Sequence, residues 1–110
     1  MKIYDGIMGL VVADAVGVPF EFKKRDTFKA DKMTGYGTYN QPPGTWSDDS
    51  SLTLATVASL GRKGCVDPAD IMNNFFLWLD DGAYTLMGRC LMWAVAQERQ
   101  FQDMRTALNL

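Results

Sequence analysis

Apolar residues crowd the first seventeen positions of the chain and then thin out. Between positions 2 and 17, Ile3, Ile7, Leu10, Val11 and Val12 leave no broad polar face. That pattern predicts a helix made to be buried in a larger body rather than laid on a surface. Gly9, Ala13 and Gly17 recur every four residues, a small-residue strip along which another backbone could approach closely. Interior glycines cost a helix about 1 kcal/mol each relative to alanine, so packing should account for them. Val18 precedes Pro19, which pushes it toward extended geometry and ends the helix.

From Pro19 to Trp46 the periodicity disappears. Gly35, Gly37, Gly44 and the Pro42-Pro43 pair make regular structure improbable in the second half of this stretch. A connection this long is uncommon in a compact domain and is often functional. Helical patterning resumes at Asp48 and continues to Leu60, with Gly61 as the expected stop. Asp67-Pro68 then reads as a cap followed by proline at the first helical position. Ile71, Phe75 and Leu79, backed by Met72 and Phe76, give this third helix its apolar face, and Asp80-Asp81-Gly82 breaks it. A fourth segment is expected from near Leu86, with Cys90, Leu91, Trp93 and Ala94 facing inward. A short helix over 100–108 would use Phe101, Met104 and Leu108. No segment alternates as a strand does, so the fold class is all-α. One helical domain or domain fragment spans 1–110, with the 19–46 loop inside it.

Composition narrows the chemistry. With 110 residues, 47% hydrophobic and 22% charged, the chain is a packed domain of modest size. A net charge of -2 gives no electrostatic reason to expect nucleic acid as a partner. The early charge-free run 6–13 is far shorter than a membrane span, and no cleavage site follows it. The absence of histidine removes a Ser-His-Asp triad and histidine-ligated zinc from this chain. Cys65 and Cys90 lack metal-ligand spacing, and two free thiols fit a cytoplasmic setting. Catalysis must therefore rest on carboxylates, hydroxyls or amines, with or without a hard metal.

Three polar features stand out. Asp14 lies inside the most apolar helix, where an unpartnered carboxylate is costly. It either caps and orders the following loop or lies beneath an active site. Glu21 sits between Phe20 and Phe22; if extended, the rings point one way and the carboxylate the other. It is a surface residue or, facing Asp48 and Asp49 across a cleft, a proton-handling group. Ser47, Asp48 and Asp49 satisfy the requirements of a helix start. They also offer three consecutive hard oxygens to a divalent cation, which would relieve the repulsion between the adjacent aspartates. Spacing alone leaves both readings open.

GLVVADAVGVPFEF, residues 9–22, resembles the opening signature of the ADP-ribosylglycohydrolases, and GTWSDDSSLTL, residues 44–54, resembles their paired-aspartate motif. WLDDGAYTLMGR, residues 78–89, is a looser echo. The resemblance implies a mostly helical fold around a binuclear magnesium or manganese site, with the chain forming the N-terminal portion. It further implies Ser47, Asp48 and Asp49 as metal ligands and Glu21 as the catalytic carboxylate, with Asp48 beside it; from its place in α1, Asp14 is expected to order the loop or support the ligands. The activity implied is release of ADP-ribose from a modified protein or small molecule. The alternatives are a catalytically silent module that binds ADP-ribose or a protein, and a purely structural helical unit. Ala13 stands where the family has glycine and Leu86 where proline is common. None of Asp67, Asp70, Asp80, Asp81 and Asp103 matches the family's C-terminal metal motif. The isolated chain is therefore expected to be inactive, and its exposed first helix to drive self-association or pairing with a C-terminal part.

Overall fold

The computed structural model describes residues 2–86, 88 and 95–109. They form four α-helices and, among the described residues, no strand: α1 Lys2–Gly17, α2 Asp48–Lys63, α3 Pro68–Asp81 and α4 Val95–Leu108. The all-helical expectation holds. The chain divides into two compact units, Met1–Ser50 and Ser51–Leu110.

The first unit is α1 followed by a folded loop. α1 is apolar all round, as its sequence predicts, yet most of it is exposed: Ile3 is 73% and Tyr4 62% exposed, and within the helix only Ala15 is buried. A Cβ added at Gly9 or Gly17 would meet nothing within 4 Å among the described residues, so none of their backbone packs on these two glycines. By length and composition, Lys2–Phe20 could cross a membrane. Its one carboxylate near the C-terminal end, Asp14, is bound by donors from Ser47 and from Ser50 on the first turn of α2.

After Gly17 the chain does not become extended. Val18–Phe20 forms a 3-10 turn with proline near its start, where the missing N–H is not needed. Nor are Phe20, Glu21 and Phe22 extended together. Phe22 has φ +64°, so the two rings part: Phe20 stacks on Phe28 at 4.9 Å, and Phe22 meets Tyr39 edge-on at 6.4 Å. The long loop is more regular than its glycines and prolines suggested. Gly37–Tyr39 is a second 3-10 turn, closed by a bridge between Tyr36 and Gln41. Gly37, at φ +61°, lies directly on the first turn; a Cβ there would fall 2.1 Å from the Pro19 carbonyl oxygen.

In the second unit, α2 runs past Gly61 to Lys63 and stops at Gly64, whose φ of +71° lets its N–H return to the Leu60 carbonyl. α3 starts as expected. Asp67 caps it by accepting from the Asp70 N–H, and Gly82 ends it at φ +70°. Asp80 and Asp81 are its last turn rather than its break. Its most buried residues are Asn74, Phe76 and Trp78, whereas the expected stripe of Ile71, Phe75 and Leu79 is half-buried. The Asn74 amide explains the rotation: it donates to the Ala55 carbonyl at 2.9 Å and pins that face against α2. The expected short helix over 100–108 is the end of the longer α4. Leu86 is a bend, and Cys90, Leu91, Trp93 and Ala94 lie outside the described residues.

Candidate active site

The polar residues singled out in the first fifty positions come together around the start of α2. Ser47 occupies the position before the helix, and its Oγ accepts from the Asp49 N–H at 3.3 Å. That is ordinary capping. What is not ordinary is that a carboxylate from another helix joins in. Asp14 Oδ2 accepts from the backbone N–H groups of Ser47 (2.9 Å) and Ser50 (3.3 Å). The Ser47 hydroxyl donates to Oδ1 at 2.7 Å and the Ser50 hydroxyl to Oδ2 at 2.6 Å. Four donors thus hold one carboxylate, which resolves how α1 tolerates Asp14. Ser47 and Ser50 are themselves buried, so their hydroxyls needed partners equally.

This clamp fixes the direction in which the first turn of α2 presents Asp48 and Asp49. Asp48 is half-buried and Asp49 exposed. Burial raises the Asp48 pKa above the ordinary aspartate value, and the neighbouring Asp49 charge raises it further. The Asp49 N–H, which donates to Asp48 Oδ1 at 3.1 Å, opposes this.

Glu21, just beyond the first 3-10 turn, is half-buried and belongs to the same electrostatic neighbourhood. Burial raises its pKa; the bond from Tyr39 lowers it, and the charges of Asp48, Asp14 and Asp49 raise it again. Tyr39 Oη donates to Glu21 Oε2 at 2.8 Å. Thr38 Oγ1 donates to the Glu21 carbonyl at 2.6 Å and to the Pro19 carbonyl at 3.2 Å. Sequence reasoning missed Thr38 and Tyr39. The available signal was their place in the glycine-rich loop, flanked by Gly37 and the Asn40 turn, where a fixed backbone would need side-chain partners.

The donor set suits a hard divalent cation. Asp48 and Asp49 crowd negative charge at the positive end of a helix, and the Ser47 oxygen is held beside them. It is not a full coordination sphere: no group of three or more His, Cys, Asp or Glu side chains among the described residues could hold a metal alone.

The two stretches that resemble family signatures, 9–22 and 44–54, thus meet where Asp14 binds Ser47 and Ser50. The family model of the ADP-ribosylglycohydrolases matches residues 1–109, and the chain belongs to that family. It is 32% identical over 89 residues to the ADP-ribosylarginine hydrolase Tri1 of Serratia proteamaculans, covering 81% of this chain and 24% of that protein. The Tri1 of Pseudomonas putida is 33% identical over 84 residues, 76% of this chain and 23% of the relative. The ADP-ribosyl-[dinitrogen reductase] glycohydrolase of Rhodospirillum rubrum is 40% identical over 77 residues, 66% of this chain and 26% of the relative. The chain thus spans about a quarter of the length of these relatives.

Proposed function

We propose that the full-length protein is a divalent-metal-dependent hydrolase that cleaves the glycosidic bond of an ADP-ribosylated substrate and releases ADP-ribose. The observation that carries this reading is the Asp14 clamp, which holds the paired aspartates in the electrostatic neighbourhood of the Glu21 carboxylate. Ser47, Asp48 and Asp49 would hold magnesium or manganese. Bound there, the metal would supply a site for ribose hydroxyls and a more acidic water. Glu21 handles the proton: burial and the nearby charges make its carboxylate a better base than an exposed glutamate. Asp14 keeps the ligand turn rigid, so that binding energy is not lost in ordering it. The names of the relatives favour an ADP-ribosylated protein as substrate and ADP-ribosylarginine as the first acceptor to try. The cytoplasm is the compartment that suits such a substrate and the exposed thiol of Cys65.

By itself the 110-residue chain should not turn over substrate, because three ligand residues do not complete a coordination sphere that could fix a ribose and exclude water. The exposed apolar side chains of α1 should instead make it self-associate or pair with a C-terminal part. The deciding experiment is hydrolysis of ADP-ribosylarginine by the full-length protein with manganese, magnesium or chelator. Metal-dependent release of ADP-ribose is expected. Tight ADP-ribose binding with no release would replace the proposal with the silent binding module.

A further inference from the structure

We infer that Tyr39 is a positioning residue for Glu21, binding one carboxylate oxygen so that the other is left to take the proton. The inference rests on the catalytic reading of Glu21 above. Tyr39 Oη donates to Oε2 at 2.8 Å, and Oε1 has no hydrogen-bond donor among the described residues. The phenol can give only one hydrogen, so the two oxygens are made unequal. Donation to a charged acceptor is also among the stronger protein hydrogen bonds, and it favours the ionised carboxylate that can accept a proton.

The loop around Tyr39 is built to hold this geometry. Gly37 lies against the Pro19 carbonyl with no room for a Cβ, and Thr38 ties the Pro19 and Glu21 carbonyls together. The Gln41 amide donates to the Tyr39 carbonyl at 3.1 Å, and Asn40 turns the chain at φ +51°. The Glu21 backbone and side chain are therefore both held by one turn, residues 37–39. Phe22, at φ +64°, adopts a conformation that is strained for a bulky residue and that its surroundings must enforce. Its edge contact with the Tyr39 ring belongs to those surroundings. Burial and the bond to Glu21 both push the Tyr39 pKa up, so the phenol stays a donor throughout the working pH range.

Tyr39→Phe removes the hydroxyl and keeps the ring, so the contact with Phe22 survives. In the full-length protein it should lower kcat about 10- to 100-fold, the loss of a hydrogen bond to a charged group. KM and manganese affinity should stay within about twofold, as for an interaction realised mainly at bond cleavage. In a Glu21→Gln background the same change should have no further effect on kcat. Independently of activity, a carbon-13 titration of the metal-free protein should show the Glu21 carboxyl titrating at higher pH in Tyr39→Phe. The facing charges of Asp14, Asp48 and Asp49 are the same in both proteins. Equal losses of kcat in the two backgrounds, or a Glu21 titration that does not move, would overturn the inference. If the wild-type protein releases no ADP-ribose, the titration still decides whether Tyr39 governs Glu21, while the proposed hydrolysis fails separately.

Discussion

Two carboxylates, Asp70 and Glu21, show how differently the two units treat negative charge. Asp70, on the first turn of α3, accepts from the buried Ser59 hydroxyl at 2.5 Å and pairs with Arg62. The hydrogen bonds from Ser59 and Arg62 hold its pKa below the ordinary aspartate value. Glu21 is shifted the other way, by burial and by the charges of Asp48, Asp14 and Asp49. The Asp70 group has its opposite charge supplied within the protein. The charges that act on Glu21 are like charges, gathered where a helix N-terminus and an external cation could compensate them. A cluster that raises its own carboxylate pKa values is poor design for stability and reasonable design for a site.

The largest expected consequence is kinetic. Glu21→Gln keeps the size of the side chain but removes its basicity, and kcat for ADP-ribose release should fall about 100- to 10,000-fold. Metal affinity should change little, measured by manganese titration of the full-length protein. The corresponding Asp70→Asn change should leave kcat near wild type. If both variants lost activity equally, the distinction between the two clusters would be one of folding alone.

Asp14 comes next. Asparagine there would keep one acceptor oxygen but set an NH2 donor against groups that now donate to the other, loosening the hold on the ligand turn. Asp14→Asn should weaken manganese binding about 10- to 100-fold, the usual cost of losing a group that supports metal ligands. Asp49→Asn should weaken it further by removing a charge directly from the ligand set. Calorimetric titration of the two variants checks this order, and an Asp14→Asn affinity equal to wild type would leave the clamp with a folding role only.

A buried amide gives a smaller, purely structural contrast. Asn74→Ala deletes the bond to the Ala55 carbonyl between α3 and α2, at a cost of about 1–3 kcal/mol in chemical denaturation. Metal binding at Asp48 and Asp49 should be unchanged.

Local rules carried much of this into the sequence. Asp67-Pro68 and Gly82 announce α3 at both ends because capping depends on a few adjacent residues. Two signatures were enough to bring Ser47, Asp48 and Asp49 forward as candidates, since the three are consecutive. The conformation of Phe22 and the partnership of Tyr39 with Glu21 were not legible. They arise from two turns eighteen residues apart meeting at Gly37, and no period or cap records a long-range approach of that kind. The choice of Asn74 over Ile71 as the anchor of α3 escaped for the same reason: a polar residue is predicted outward until its partner is known.

The finest expected effect is opposite pH dependence in the two clusters, seen without metal. The unfolded reference for Glu21 is a carboxyl titrating near pH 4.3. Its folded pKa is raised, so between those two values the native state binds more protons than the unfolded one, and stability falls as pH rises. The difference in melting temperature between wild type and Glu21→Gln should therefore shrink or turn negative from about pH 4.3 upward, then level off above the folded pKa. For Asp70 the folded pKa is depressed below an unfolded value near 3.9. Its contribution is fully present above that value and is lost as pH falls through the folded pKa, so wild type should lose its advantage over Asp70→Asn only on further acidification. Thermal melts of the three proteins in chelator, taken in small pH steps from 2.5 to 7 (roughly the span over which carboxylates titrate), separate the two windows. Saturating manganese should then raise the wild-type melting temperature most at the top of that range, where the aspartates are ionised and the metal competes with no protons. Parallel slopes for Glu21→Gln and Asp70→Asn would mean that the two carboxylates are held alike, and the contrast between the site and the scaffold would be lost.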